Sequence, residues 1–209
     1  MGPSLKTPGQ ILSFQGAKGG VGTTTLACLF GRTLAANRPD LAVALVDPCP
    51  FSLSPLPSWM SLDGKERDLA QLASMPGRRT RALLEGYFPR SPEGLMHVSA
   101  GSGTSPEDPF PILEELASCF DWLLVDLSPL GLLQQAAWRE RSHGILLVTD
   151  GNEASLTALA RWEKRLLKEH IDLGSCRVWL NDTQGGGPAD APLPKGLSLA
   201  ATTPHLGTS

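Results

Sequence analysis

Six short runs of apolar residues, at 11–15, 42–47, 95–99, 122–126, 144–149 and 176–181, punctuate the chain. Each is continuous in apolar character and does not alternate, which is the pattern of a strand covered on both faces of a parallel sheet. Between them lie segments whose apolar residues recur every three or four positions, at 24–36, roughly 65–73, roughly 80–87, 111–119, 132–141 and 153–169. In the last of these Leu156, Leu159, Ala160, Leu166 and Leu167 form one stripe, with Arg161, Lys164, Arg165 and Lys168 largely off it. Strand, crossover helix and strand in this rhythm predict a doubly wound α/β domain, a mostly parallel sheet with helices on both faces. The stretch 48–63 holds four prolines and little periodicity, so it is expected to be a long loop. A single domain is expected over 1–183, followed by a Gly/Pro-rich, loosely ordered segment at 184–209.

Charge narrows the class of protein. Eighteen Lys and Arg stand against 21 Asp and Glu among 209 residues, a formal charge of −3. A dedicated nucleic-acid domain would carry a basic excess to neutralise phosphates, so none is expected. The basic side of 153–169 reads first as a solvated helix face and second as a DNA contact. No apolar run approaches the roughly 18 residues of a membrane span. Met1-Gly2-Pro3-Ser4-Leu5-Lys6 lacks the apolar stretch of a signal peptide, and Lys6 breaks a myristoylation match. A cytoplasmic protein with no membrane anchor of its own is expected. Cys28, Cys49, Cys119 and Cys176 are widely spaced without a CxxC, which indicates neither a zinc site nor a disulfide framework.

One segment carries chemistry. Gly16-Ala17-Lys18-Gly19-Gly20-Val21-Gly22-Thr23-Thr24-Thr25 follows the first predicted strand and opens the first predicted helix. Glycines let a backbone turn its N–H groups inward as a nest for phosphate oxygens. The first helical turn adds unpaired N–H groups and the positive end of its dipole. A hydroxyl at the helix start, here Thr24, is placed to meet the magnesium of a nucleoside triphosphate.

Lys18-Gly19-Gly20-Val21-Gly22 resembles the deviant Walker A motif of the MinD/ParA ATPases, KGGxGK[ST]. The resemblance extends over about 11–181. Leu45-Val46-Asp47 is similar to the start of the family's Asp-x-Asp switch I, and Trp122-Leu123-Leu124-Val125-Asp126 to its Walker B strand. It implies a P-loop fold that binds ATP or ADP with Mg2+ through Gly19, Gly20, Val21, Gly22, Thr23, Thr24 and Thr25. It further implies metal contacts from Thr24, Asp47 and Asp126, and adenine contact from Asn181. Lys18, Asp47 and Asp126 take the catalytic positions, with Lys18 reaching a partner's nucleotide across a homodimer interface that forms with nucleotide.

The departures are informative. The second lysine of the motif is Thr23 here, a substitution that resembles the CpaE/TadZ pilus-assembly subgroup. The second switch I aspartate falls at Cys49, and Leu127-Ser128-Pro129-Leu130-Gly131 places the post-Walker-B glycine one residue late. A charge-assisted contact contributes roughly 1.5–3 kcal/mol, so one missing lysine weakens binding without abolishing it. A missing positioned carboxylate removes about 10²–10⁴-fold in rate. The expectation is an ATP-binding localisation or assembly factor for pilus or secretion machinery, with slow or absent hydrolysis. The alternative is a pseudo-ATPase scaffold that works through protein contacts alone. Recruitment by partners to the inner face of the membrane is the route to a membrane that either reading leaves. MinD's own membrane device, a C-terminal basic amphipathic helix, has no counterpart in 197–209, which lacks Lys and Arg.

Overall fold

The computed structural model describes residues 9–47, 54–62, 67–75, 80–99, 110–182 and 192–203. Seven strands form one sheet in which every pairing is parallel: β1 (Gln10–Gly16), β2 (Val43–Asp47), β3 (Met96–Ser99), β4 (Trp122–Asp126), β5 (Gly144–Thr149), β6 (Cys176–Asn181) and β7 (Ser198–Thr203). Their order is β3-β2-β4-β1-β5-β6-β7. The chain therefore winds outward in both directions from β1, and the C-terminal ends of β1, β4 and β2 lie side by side where ligands bind in such sheets.

Side chains alternate between the two faces, as the period of a strand demands. Val43 and Leu45 of β2, Leu124 of β4 and Phe14 of β1 pack with Ala27, Cys28 and Ala35 of α1 (Thr23–Asn37). Ala44, Val46, Leu123 and Val125 point the other way. They meet Leu69 and Leu72 of α3 (Leu69–Ser74), Leu84 of α4 (Arg81–Tyr87), Leu116 of α5 (Phe110–Cys119) and Trp138 of α6 (Leu132–Glu140). Ile145, Leu147 and Val178 pack under Leu159, Trp162 and Leu166 of α7 (Glu153–Lys168). Burial on both faces is why the strands read as unbroken apolar runs.

The six expected strands are all present, and five of the six expected helices lie within two residues of their predicted bounds. The helix expected from about 65 begins at Leu69, because the Asp68 side chain accepts from Gln71 N and fixes the start there. Two further differences have physical causes. Within the stretch expected to be loop, a single turn α2 (Leu56–Trp59) forms, with proline at its start where a missing N–H costs nothing. Ser198–Thr203, in the segment expected to be loosely ordered, is the edge strand β7, paired with β6 through a register shift between Val178 and Trp179. Its small, half-polar residues suit an edge position and carry little periodicity. Residues 183–191 and 204–209 lie outside the described residues. No described helix is long and apolar enough to cross a membrane.

Candidate functional site

The loop after β1 is held from several sides. Ala17 N donates to Val148 O of β5 at 2.8 Å, and the Trp162 indole N–H of α7 donates to Ala17 O at 3.2 Å. Val21 is buried against Leu26 and Val148, and the Asn181 amide at the end of β6 donates to Val21 O at 2.9 Å. Gly20 and Gly22 adopt φ of +80° and +81°, a left-handed conformation that side chains with a Cβ rarely take. Gly22 is the N-cap of α1 and has no side chain to cap it, so the first N–H groups of the helix point into the loop. Around Gly19 and Gly20 an added Cβ would meet nothing within 4 Å, so the loop's crest opens to solvent. This is a phosphate nest joined to a helix N-terminus.

The two candidate carboxylates sit beside it. Asp126 ends β4 and Asp47 ends β2, and the pairing of Val46 with Val125 sets them next to each other. Both are fully buried. Ser128 donates to Asp126 Oδ1 through its backbone N, at 2.9 Å, and through its hydroxyl, which in turn lies 2.9 Å from Thr24 Oγ1. Asp126 Oδ2 has no hydrogen-bond partner among the described residues. Burial pushes the Asp126 carboxyl above its ordinary range, and the neighbouring Asp47 charge adds to that, while Ser128 and Thr24 oppose it. An unpartnered buried oxygen, a second carboxylate and a hydroxyl at a helix start form an oxygen donor set that fits a hard divalent cation such as Mg2+. Asp47 is also 3.4 Å from His97 Nε2 on β3, a buried contact within the apolar sheet interior.

The remaining expected residues are placed as follows. Thr23 is buried, and its hydroxyl lies where a Cβ on Gly16 would come within 2.6 Å, so it fills space beneath the loop and offers no cation. Thr25 is exposed on the first turn of α1. Asn181 is at the site, but its amide N–H braces the loop. Lys18 donates to Asp150 Oδ2 at 3.0 Å, with its side chain about one third exposed. Cys49, the position of the second switch I aspartate, lies outside the described residues.

Three contributors were not found from the sequence. Asp150 holds Lys18, and it is itself held by Ser155 Oγ and by Asn152 Nδ2 at 2.9 Å. Burial alone would raise its pKa, but the Ser155 and Lys18 hydrogen bonds overcome that and keep it below the ordinary carboxylate range. Ser128 links Thr24 to Asp126. Arg139, on α6, is buried and makes a bidentate pair with Glu169 at 2.7 and 2.8 Å, while reaching Gln15 Oε1 at 3.3 Å just before the loop. One signal could have pointed here: Asn152, a capping residue type just before the 153–169 periodicity, accepts from Ser155 N at 2.9 Å; the rest depends on packing.

This geometry matches known folds. Among solved structures the chain is similar to a ParA family ATPase from Chlorobium tepidum, with a TM-score of 0.72 at 19% identity over 95% of this chain and 84% of that one. It is similar to the septum site-determining protein MinD of Pyrococcus horikoshii in complex with Mg-ADP, with a TM-score of 0.65 at 19% identity over 93% and 81%. It is also similar to the MinC:MinD cell division complex of Aquifex aeolicus, with a TM-score of 0.63 at 20% identity over 82% and 68%. No family model matches the sequence, and no curated protein matches it. The fold is that of the MinD/ParA class of P-loop proteins.

Proposed function

We propose that this chain is a MinD/ParA-like nucleotide switch that binds ATP or ADP with Mg2+ and serves as a localisation or assembly factor. The observation that carries the reading is the buried, unpartnered Oδ2 of Asp126 beside the Thr24–Ser128 hydroxyl pair and the open glycine nest. Backbone N–H groups of Gly19–Thr25 would hold phosphates, the Thr24 hydroxyl and Asp126 would hold the magnesium with Asp47 beside them, and Asn181, which braces the loop through Val21 O, would contact the adenine. Bound magnesium would supply charge neutralisation at the phosphates. The neighbours bear the same chemistry in their names, one holding Mg-ADP and one a MinC partner.

Turnover is slow or absent in this reading. Thr23 brings no positive charge to the phosphates, and phosphoryl transfer rests on positioning and charge stabilisation. The buried Thr23 also favours a second reading, a pseudo-ATPase scaffold that never turns nucleotide over. Thr23→Lys with Cys49→Asp raises hydrolysis under the first reading and leaves the second unchanged. We assign the nucleotide-binding unit to a single domain and place the protein in the cytoplasm, brought to the membrane face by pilus or secretion proteins. The pilus or secretion assignment rests on the Thr23 loop variant, the single domain on the strand–helix rhythm and the cytoplasmic placement on the composition.

Lys18 provides the test of assembly. In the single chain it is parked on Asp150; in a nucleotide-bound pair it serves the partner's phosphates across a two-fold interface. Light scattering is expected to show a dimer with Mg-ATP and a monomer without it. Lys18→Ala is expected to abolish the dimer while leaving the monomer folded, since the buried Asp150 keeps its hydrogen bonds from Ser155 Oγ and Asn152 Nδ2. A wild type that stays monomeric, or a variant that dimerises equally well, removes the cross-interface role.

A further inference from the structure

A second surface lies beyond the loop. An open cavity of about 960 Å³ is lined by residues of α6 and α7 and by Gly16–Gly19 and Ser128. Arg161, Lys164, Arg165 and Lys168 of α7 line it, together with Lys18. Glu169 is the one carboxylate among its lining residues, and it is taken by Arg139 and Arg165. Arg161, Lys164 and Lys168 form no ion pair among the described residues. A cluster of uncompensated cations in a chain of net charge −3 is a local feature and not part of a general basic field.

We propose that this groove docks an acidic helical segment of a partner protein. Charge complementarity selects the sign. The spacing selects the shape: Arg161, Lys164 with Arg165, and Lys168 mark successive turns of α7, about 5 Å apart along its axis. Carboxylates three and four residues apart on a second helix rise by the same step, so a helix laid along α7 meets the cations turn for turn. The facing walls accept its apolar side. Leu132 at the start of α6 is 53% exposed, and Ala158, which also lines the cavity, is small enough to admit a neighbouring helix. Single-stranded nucleic acid is disfavoured by the same residues, and a duplex, which needs cations but no stacking, is the competing occupant that the titration reads. The Trp162 ring, the one aromatic in the groove's lining, lies under the guanidinium groups of Arg139 and Arg165 at 4.9 and 5.5 Å and is 8% exposed, leaving no open ring face for a base to stack on.

The test is a fluorescence-anisotropy titration of the full chain without nucleotide, so that it does not depend on the nucleotide reading. The probes are a labelled Ala-rich helix with Glu at three- and four-residue spacing on one face, the same peptide with its Glu positions scrambled, its Lys counterpart, and a short DNA duplex. The patterned Glu helix is expected to bind, and Arg161→Ala/Lys164→Ala/Lys168→Ala is expected to weaken it by about tenfold or more. Raised salt is expected to weaken it as well. These side chains are exposed at the groove, so the variant's unfolding midpoint is expected to match wild type; Lys164→Glu alone is the second, milder variant and is expected to act in the same direction. No binding at millimolar peptide, equal binding by the variants, equal binding of the scrambled peptide, or tighter binding of the duplex would each overturn the proposal.

Discussion

Gly22→Val is expected to abolish nucleotide binding, with mant-ADP fluorescence showing a loss of affinity of about 100-fold or more, some 2.7 kcal/mol. Two independent effects add at this position. The residue holds φ +81°, where a β-branched side chain is strained by about 1–3 kcal/mol. A Cβ built there would also stand 2.6 Å from Asn181 Nδ2, so the amide that braces Val21 O must leave. The loop then loses both its curvature and its anchor, and the N–H groups of the nest no longer converge. Asn181→Ala alone separates the terms: it removes the anchor on Val21 O and leaves Gly22 unstrained, so its loss is expected to be smaller than that of Gly22→Val. If Gly22→Val binds as tightly as wild type, the nest is not the nucleotide site.

The largest expected loss of stability is at Arg139. Its guanidinium is buried between α6, α7 and β1, where it pairs with Glu169, reaches Gln15 and Gln135, and stacks on Trp162. Arg139→Ala strands a mostly buried carboxylate that only Arg165 still meets, at an expected cost of about 3 kcal/mol. For a chain of this length that is about 6–12 °C in Tm, read by circular dichroism. The pH dependence has a defined sign. Burial opposes ionisation of Glu169, but hydrogen bonds from Arg139 and Arg165 win and hold its pKa below the usual 4.5. Its contribution is therefore present above the unfolded pKa and fades as pH falls through the folded one. Wild type is expected to lose stability across that acid window, and Arg139→Ala is expected to lose less of it. An acid limb of equal depth in both proteins would place the linkage elsewhere.

The β-strands were legible because burial on both faces leaves unbroken apolar runs such as Leu123-Leu124-Val125, and the loop was legible because its glycines and threonines are contiguous. Contiguity was the limit. Lys18 and Asp150 are 132 positions apart, and Arg139 meets Gln15 across 124, pairings that only the winding of the sheet creates. Asp126 could be named from its strand, but its unpartnered oxygen depends on Ser128 folding back to occupy the other one. Strand β7 was missed for a different reason: Ser198-Leu199-Ala200-Ala201-Thr202-Thr203 is small and half polar, and it pairs because β6 offers an open edge. The carboxylates and the loop were expected together from a resemblance; the physical arrangement adds that Thr23 turns inward and that Lys18 has a partner within its own chain.

Isothermal titration of Mg-ATP into the purified chain tests the central claim most directly. Saturable binding to one site per chain is expected, weaker in Asp126→Asn and dependent on magnesium, because the cation and the buried carboxylate stabilise each other. No heat at millimolar nucleotide, with no shift in the unfolding midpoint, would contradict it.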